Sequence, residues 1–385
     1  MKFKTIDDLD VEGKTVLLRA DLNSPVIEEE VQMSPRIRAA SRTIKELKDK
    51  DARVIILAHQ GRPGSEDYTS LEQHDRLLNK LVKTKFVDGI ITERAIMKIK
   101  NSKMGEAILL ENTRSMDDEF KPGKTKNKMV EKLLPIADIY INDAFSVSHR
   151  DQTSIVSFAQ KLPSGIGRTM EKELEMAEKI DLNECLYILG GAKPKDNLKL
   201  MDGNEILACG LFGQCCAIAK GIDLGKQNKF LSQKIDGYND IINEIKKNLD
   251  KVEIPEDFAI DKEGERKEIP ISNFPSKYEI FDIGRETQKK FKNKIRNANA
   301  IYMKGPAGYC EDEKFSEGTL KILKVIGESD AFSLIGGGNL SEAMEKYNVS
   351  KDNFNHVSLS GGALLNYIAG EKLPGLEALK VNGLK

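Results

Sequence analysis

The sequence has no large charge imbalance, so it lacks the simplest sign of a nucleic-acid partner. Its 385 residues include 60 Lys+Arg and 61 Asp+Glu, which gives a formal net charge of −1. Proteins that bind nucleic acid non-specifically usually carry an excess of positive charge. The composition therefore indicates no nucleic-acid partner, and small molecules are the expected ligands.

Long apolar runs are also missing. The longest such stretch, Ile206–Ala219, contains Gln214 and ends before Lys220. It is shorter than the roughly 20 residues that a bilayer-spanning helix needs. The N-terminus reads MKFKTIDDLD and has no apolar core of the kind found in secretory signals. We expect no membrane partner and a cytoplasmic location.

Cysteine and histidine are too few and too scattered for a disulfide framework or a zinc site. The five cysteines are an odd number and form no CxxC pair, and the four histidines form no HExxH motif. This pattern favours a reducing compartment. Cys215 and Cys216 lie in an apolar stretch, which is typical of buried structural cysteine.

The chain does contain a regular alternation of short apolar strands and amphipathic helices. Strands are predicted at Thr15–Ala20, Arg53–Ala58, Ala107–Leu110, Asp138–Ile141, Cys185–Leu189, Glu205–Cys209, Ala300–Met303 and Ala331–Ile335. Helices are predicted around Ile37–Leu47 and at Glu286–Asn297, Glu317–Gly327 and Ser341–Tyr347. Such alternation predicts parallel sheets with helical crossovers. At about 150 residues per domain, this length predicts two or three domains.

A helix free of glycine and proline, Thr169–Ile180, separates the two series. We therefore predict a first domain at residues 1–168, a linking helix or hinge at 169–184, and a second domain at 185–374. Residues 252–280 are richer in proline and charge, which predicts a small irregular or antiparallel insertion.

Polar residues in the first half follow the predicted strands, where parallel sheets bind ligands. Arg36, Arg62, Arg114 and Arg150 are expected to converge on one surface with His59. Any one of these arginines could equally be a solvated surface residue, but the set favours a small polyanion, because guanidinium groups bind phosphate and carboxylate with two bonds. Asp21 and Asn23 would accept hydrogen bonds from ligand hydroxyls. His59 and His149 are interpreted as ligand-binding groups rather than general bases.

Three glycine-rich turns follow strands in the second half, at residues 190–193, 305–308 and 336–339. Glycine lets the backbone approach phosphates, and a helix N-terminus adds free N–H groups. One such turn can reflect tight packing alone, whereas three together favour a nucleotide. Residues 221–227 fail the Walker A spacing and GxGxxG is absent, so the site would be of another kind. Lys193 is either the contact for a terminal phosphate or a solvated turn lysine.

As a set, these segments resemble the phosphoglycerate kinase family over nearly the whole chain. The segments, in the family's order, are VLLRADLNSPV, SPRIRAASRTI, HQGRPG, LLENTR, INDAF with SHR, MEKEL, ILGGAKPKD, DIG, KGPAGYCE, IGGGN and LPGLEAL. The resemblance implies two doubly wound, Rossmann-like α/β domains with parallel sheets, joined by a long helix and separated by a cleft. It also implies that the C-terminal tail, about residues 375–385, packs on the N-terminal domain.

The resemblance implies an activity as well. The enzyme would reversibly transfer a phosphoryl group between 1,3-bisphosphoglycerate with ADP and 3-phosphoglycerate with ATP, with Mg²⁺ and domain closure, in glycolysis and gluconeogenesis. The implied triose contacts are Asp21, Leu22, Asn23, Arg36, His59, Gln60, Gly61, Arg62, Arg114 and Arg150. The implied nucleotide contacts are Gly191, Lys193, Gly305, Pro306, Glu311, Gly337, Gly338, Asn339 and Leu340. Arg36 and Lys193 are the implied catalytic pair, and Asn339 is a candidate metal contact.

Several positions depart from the family's bacterial and eukaryotic pattern, in a way that is similar to its archaeal branch. Asn197 replaces a lysine, Lys304 an asparagine, Asn339 an aspartate, Leu340 a threonine or serine, and Gln152 a histidine. Lys195 or Lys199 could substitute for the lysine missing at 197. The departures leave open whether the nucleotide is ADP or GDP. They also leave open two other functions: a non-catalytic triose-phosphate sensor or scaffold, and a kinase that acts on a related acyl phosphate. A monomer or a small homo-oligomer is expected.

Overall fold

Two six-stranded parallel sheets organise the chain, in a computed structural model that describes residues 3–201 and 203–383. The chain divides into two units, Met1–Glu175 with Gly370–Lys385, and Met176–Ala369. The division falls inside the segment 169–184, for which the sequence predicts a linking helix.

The described residues of the first unit form eight strands. They are β1 (Thr15–Arg19), β2 (Val26–Ile27), β3 (Glu30–Val31), β4 (Arg53–Leu57), β5 (Lys85–Val87), β6 (Ala107–Leu110), β7 (Ile139–Asn142) and β8 (Ser164–Ile166). Six of them form a parallel sheet in the order β5-β6-β4-β1-β7-β8, and β2 pairs with β3 in a small hairpin. The apolar residues of β1 and β4 are buried throughout, which agrees with a sheet covered on both faces.

The helices that begin in this unit are α1 (Pro35–Asp49), α2 (Glu72–Leu78), α3 (Glu93–Asn101), α4 (Lys128–Leu133), α5 (Thr153–Val156) and α6 (Arg168–Lys179). Helix α1 shows why the sequence folds this way. Ser34 caps it by accepting a hydrogen bond from the Ile37 amide, and Pro35 occupies the first turn. Ile37, Ala40 and Ile44 form its buried face.

In the second unit, the part of the chain that the structure describes forms nine strands. They are β9 (Cys185–Leu189), β10 (Ile206–Ala208), β11 (Val252–Glu253), β12 (Asp257–Lys262), β13 (Glu265–Pro270), β14 (Ile280–Ile283), β15 (Ala300–Lys304), β16 (Phe332–Gly336) and β17 (His356–Val357). The parallel sheet has the order β11-β10-β9-β15-β16-β17. Strands β13-β12-β14 form a separate antiparallel sheet, which is the insertion that the composition of residues 252–280 predicts.

The remaining helices are α7 (Pro194–Asn197), α8 (Gly210–Ala219), α9 (Lys226–Lys234), α10 (Tyr238–Lys247), α11 (Arg285–Arg296), α12 (Glu317–Gly327), α13 (Gly338–Lys346), α14 (Gly361–Ile368) and α15 (Pro374–Gly383). Short 3₁₀ helices lie at Ile6–Asp8, Thr113–Ser115, Asp117–Phe120, Leu134–Ile136, Phe145–Val147, Leu182–Glu184, Leu198–Leu200, Ile271–Asn273, Glu313–Phe315 and Lys351–Asn353. Helix α15 belongs to the first unit and packs against α5 and β8. Within the described ranges, no helix combines the length and apolarity needed to cross a membrane.

The strand orders confirm the predicted doubly wound α/β fold and locate its ligand-binding edges. Along the chain, the first sheet grows from β1 to β4 on one side and then continues with β7 on the other. The second grows from β9 to β10 and then continues with β15 on the opposite side. Ligands of such sheets bind beyond the carboxyl ends of the strands at these points of reversal. The edge strands β5, β8, β11 and β17 escaped prediction because two or three residues are too few to show a period.

Candidate active site: an arginine cluster and a glycine-walled cavity

The loop after β1 holds Arg36 in place. Asp21 Oδ2 accepts a hydrogen bond from Ser146 Oγ at 2.6 Å and lies 3.2 Å from Arg36 Nε. Arg36 Nη1 donates to the Asn23 carbonyl at 3.0 Å, while Asn23 Oδ1 accepts from the Gly61 amide at 2.9 Å. The Arg36 side chain nevertheless keeps 28% of its surface exposed. The guanidinium is therefore both oriented and accessible to a ligand.

His59 lies among arginines and is neutral. Its Nδ1 is 3.0 Å from Arg19 Nη2, and the residue is buried. Burial, together with the charges of Arg19, Arg114, Arg36 and Arg150, holds the pKa of His59 well below its usual value. The structure thus brings His59 into one electrostatic neighbourhood with three of the arginines that the sequence singled out. A neutral imidazole there can donate or accept a hydrogen bond without adding charge.

Arg114 and Arg150 line a cavity of about 470 Å³ and present unsatisfied donors. Arg114 is 5% exposed, and its Nε and Nη2 are buried with no hydrogen-bond partner among the described residues. Its Nη1 donates to the Gly61 carbonyl, and Arg150 Nε is also buried without a partner there. Burial and the Arg150 charge lower the pKa of Arg114 to about 10, so it stays charged at neutral pH. A ligand with several anionic oxygens would be attracted by the two guanidinium groups.

The remaining cavity lining includes further predicted residues. Arg62, Pro63, Phe120 and His149 complete the wall. Arg62 is exposed, so its side chain can move toward a bound anion. Three arginines around one small cavity repel one another when it is empty, and a polyanion removes that repulsion.

Two predicted triose contacts point their side chains into the interior. Leu22 is fully buried in the hydrophobic core. Gln60 is also fully buried, and its amide donates to the carbonyls of Ser24 and Asp67 at 3.0 Å each. These side chains hold the binding loops together rather than face the cavity.

Sequence reasoning missed Arg19, the cation behind His59. Arg19 is fully buried, and its Nε donates to Ser154 Oγ at 2.8 Å. Ser154 Oγ in turn donates to the buried Glu119 Oε1 at 2.6 Å, so the hydroxyl links the two charges. The signal was an arginine inside the otherwise apolar strand TVLLRA.

In the second unit, the three glycine turns pack against one another. The Gly191 amide donates to the Pro306 carbonyl at 2.8 Å. A Cβ on Gly305 would lie 2.8 Å from the Gly191 nitrogen, and the Gly305 amide donates to the Gly336 carbonyl at 3.3 Å. Close backbone approach is therefore one reason for these glycines, as tight packing of such turns would predict.

The turns also wall a cavity of about 700 Å³, which is within the usual size range of small-molecule sites. Of the predicted nucleotide contacts, Gly191, Pro306, Glu311 and Asn339 line it. Residues that sequence reasoning missed complete the lining, among them Gln214, Gln227, Phe281, Tyr309 and Lys346. An apolar cavity with a few polar groups and flanking glycine turns suits a nucleoside with its phosphates.

The rim of this cavity is held by hydrogen bonds. Glu311 Oε2 accepts from the Tyr309 hydroxyl at 2.5 Å, and Lys346 Nζ donates to the carbonyls of Cys310 and Glu311 at 3.1 and 2.6 Å. A carboxylate oriented in this way can accept hydrogen bonds from ligand hydroxyls.

The positions around the third glycine turn differ in what they can offer. Leu340 is fully buried in the core of the second unit, so only its backbone can contribute. Asn339 faces the cavity, and Lys193 is exposed at the start of α7. In the described part of the chain, no three His, Cys, Asp or Glu side chains cluster to hold a metal ion. A single amide oxygen suits a metal ion that enters with the phosphates of a nucleotide.

Comparison with known proteins agrees with this geometry. The family profile described as phosphoglycerate kinase matches residues 6–371. A phosphoglycerate kinase from Methanopyrus kandleri is 38% identical over 395 residues, which covers 97% of each chain. The crystal structure of phosphoglycerate kinase from Pyrococcus horikoshii superposes with a TM-score of 0.91 at 36% identity. The structure of phosphoglycerate kinase from Coxiella burnetii superposes with a TM-score of 0.80 at 26% identity. Each superposition covers 98% of this chain and 98% of the other chain.

The agreement extends over both units, and it includes relatives from the archaeal branch that the departures at 197, 304 and 339 suggest. None of these relatives carries a name that indicates a non-catalytic sensor. The chain belongs to the phosphoglycerate kinase family.

Proposed function

We propose that the first unit holds the triose and the second the nucleotide while a phosphoryl group passes between 1,3-bisphosphoglycerate with ADP and 3-phosphoglycerate with ATP. The observation that carries this assignment is the arginine-lined cavity, whose wall includes Arg114 with two buried nitrogens that have no hydrogen-bond partner among the described residues. An inert core would not retain such a charge, because it costs folding free energy. A small acid with a phosphate group satisfies it.

In the triose site, the arginines bind the anionic groups of the ligand, and the polar residues after β1 orient it. Arg62, Arg114 and Arg150 hold the phosphate and carboxylate oxygens by paired N–H donors. Asp21 and Asn23 accept hydrogen bonds from the ligand hydroxyl. Because the pKa of His59 is far below its usual value, this residue acts as a neutral hydrogen-bonding group and not as a general base.

The transfer itself needs positioning and charge neutralisation rather than a nucleophilic side chain. A terminal β-phosphate oxygen of ADP attacks the phosphorus of the acyl phosphate in line. One P–O bond forms as the P–O bond to the carboxyl oxygen breaks, and no proton is transferred. Arg36 and Lys193 stabilise the negative charge on the equatorial oxygens, and the N–H groups of Gly337 and Gly338 at the start of α13 add donors.

Mg²⁺, carried by the nucleotide, supplies charge neutralisation between the phosphates when it is bound. Asn339 would hold the ion through its side-chain amide oxygen. Since Mg²⁺ retains several waters and takes few protein ligands, one neutral oxygen is sufficient. The phosphates then carry most of the coordination.

The two substrates are assigned to different units, and the proposal therefore includes a domain closure that brings the ligands together. Such closure would also exclude water, which would otherwise hydrolyse the acyl phosphate. We place the enzyme in the reducing cytoplasm, an assignment that the free state of its five cysteines supports.

A coupled assay tests the proposal. The purified protein receives 3-phosphoglycerate, ATP and Mg²⁺, and a coupling dehydrogenase reduces the 1,3-bisphosphoglycerate that forms. We expect turnover that Arg36→Ala lowers by about 100-fold or more, with ADP affinity unchanged because Arg36 lies in the first unit.

Arg38→Ala is the matched control, because Arg38 is the exposed neighbour on the same helix. A kcat near wild type for Arg36→Ala contradicts the assigned role. Calorimetric binding of 3-phosphoglycerate without turnover on any purine nucleotide would instead indicate a triose-phosphate sensor.

A further inference from the structure

Two lysines stand at the point of reversal of the second sheet. Strands β9 and β15 are direct neighbours, with Leu189 paired to Lys304. Lys304 is the last residue of β15, and Lys193 follows the glycine turn after β9. Both side chains therefore originate at the carboxyl edge where ligands of such a sheet bind.

The Lys304 ammonium is mostly buried, and its positive charge is only weakly balanced by a neighbouring carboxylate. The side chain is 11% exposed, and its Nζ lies 2.9 Å from Asn197 Oδ1 and 3.5 Å from Asp196 Oδ2. The Asp196 side chain is about half exposed, so solvent screens its charge. Burial, and also the charges of Lys193 and Lys199, lowers the pKa of Lys304 to about 8. A second anion beside this group would be bound favourably.

Asn197 connects Lys304 to the first glycine turn. It is fully buried, and its Nδ2 donates to the Gly190 carbonyl at 3.1 Å while its Oδ1 accepts from Lys304. Asn197 and Lys304 are two of the departures noted above, since the family pattern has lysine at 197 and asparagine at 304. The two departures are thus one contact, in which the lysine and the amide have exchanged positions.

We propose that Lys304 is a phosphate-binding lysine of the nucleotide site, presented from β15, and that Asn197 is its positioning residue. The proposal rests on the proposed function, since it assigns a nucleotide phosphate to this edge of the sheet. It also resolves which lysine replaces the one missing at 197. Lys195 is exposed on α7, and Lys199 Nζ donates to Asn366 Oδ1 on α14 at 3.1 Å. Neither is held by Asn197.

An exchange of the two residues separates this role from a merely structural one. Lys304→Asn, Asn197→Lys and the double variant are compared for kcat, KM for ATP, calorimetric ADP affinity and melting temperature. Lys304→Asn removes the ammonium, and we expect kcat to fall by about 100-fold or more. Asn197→Lys places two ammonium groups side by side and also lowers kcat. The double variant restores one ammonium and one amide, and it recovers to within about tenfold of wild type.

Lys304→Met removes the ammonium with little risk of misfolding, because an apolar side chain of similar length replaces the buried charge. It therefore tests the role of the ammonium separately from the folding of the chain. Lys195→Met is the control and keeps wild-type kcat. Wild-type kcat and KM in Lys304→Asn or Lys304→Met overturn the proposal. So does a double variant that melts like wild type yet is no more active than Lys304→Asn. A wild-type protein that neither turns over nor binds ADP would overturn the proposed function itself.

Discussion

The buried arginines of the first unit differ in how far their charge is compensated by neighbouring groups. Arg19 is fully buried, but Ser154 links it to Glu119. Arg114 has no such arrangement, since two of its nitrogens are buried without partners in the described structure. Groups of this kind cost folding free energy, and under the proposed function a bound anion would offset that cost.

Arg114→Met should therefore separate binding from stability. We expect the KM for 3-phosphoglycerate to rise by about 100-fold, since one bidentate charged contact is lost. The melting temperature should stay equal to wild type or rise, because the change removes a buried, unsatisfied charge beside Arg150.

Arg76→Met is the matched control, because Arg76 is exposed and paired with Glu72 on α2. It should change neither quantity. An unchanged KM in Arg114→Met would show that the arginine-lined cavity is not the triose site.

His74 makes the stability of the first unit depend on pH. It is fully buried, with Nε2 3.1 Å from Gln60 Oε1, and burial lowers its pKa to about 4. The unfolded chain takes up a proton at this histidine near pH 6.5, whereas the folded chain does so only near pH 4. Stability is thus complete above pH 6.5 and decreases by about 3 kcal/mol as the pH falls toward 4.

His74→Gln cannot be protonated, so its melting temperature should vary less between pH 6.5 and 4 than that of wild type. The comparison is between the slopes of melting temperature against pH for the two proteins, and not between their absolute melting temperatures. Parallel curves would mean that other groups cause the acid sensitivity.

At the scale of elements, the glycine turns of the second sheet pack closely on one another and also line a cavity. Gly305 has a φ of +75°, and its Cβ position is 2.8 Å from the Gly191 nitrogen. The turn after β15 can therefore approach the turn after β9 only if residue 305 has no side chain. The same closeness brings Lys304 to Asn197.

Gly305→Ala should cost about 2 kcal/mol or more, because the backbone strain adds to the clash with the neighbouring turn. We expect a lower melting temperature and weaker ADP binding, measured by calorimetry. Gly362→Ala is the control, since a Cβ at Gly362 on α14 meets open space. Equal stability of the two variants would contradict the packing account.

At the scale of the whole molecule, the C-terminal helix completes the first unit. The Gly375 amide donates to the Ser148 carbonyl at 2.9 Å, and α15 packs on α5 and β8. Leu376 and Leu379 are buried there. The end of the chain thus stabilises the unit that contains its beginning.

Leu379→Ala should lower the free energy of unfolding by about 2–4 kcal/mol, because it leaves a cavity under α15. Urea unfolding measures this loss. Leu81→Ala, at a position that is 38% exposed, should change it by less than about 1 kcal/mol. Similar losses in both variants would show that α15 does not bury Leu379 in solution.

The sequence by itself determined the family and the doubly wound fold, and it predicted which polar residues lie at the carboxyl edges of the sheets. Each of these depends on local information: the apolar period marks the strands, and parallel strands place the residues that follow them at one edge of the sheet. Arg36, Arg114 and Gly191 could be predicted in this way. Arg19 could have been, because a charge inside an apolar strand is a local signal.

Only the tertiary structure decided which neighbouring residues act together. Leu22, Gln60 and Leu340 stand beside site residues in the chain, yet their side chains are buried, because the direction of a loop side chain depends on what packs against the loop. Lys304 and Asn197 are 107 residues apart, and they meet through the pairing of β9 with β15 and the close approach of two glycine turns. Periodicity does not encode such a contact, because it arises from the register between distant segments.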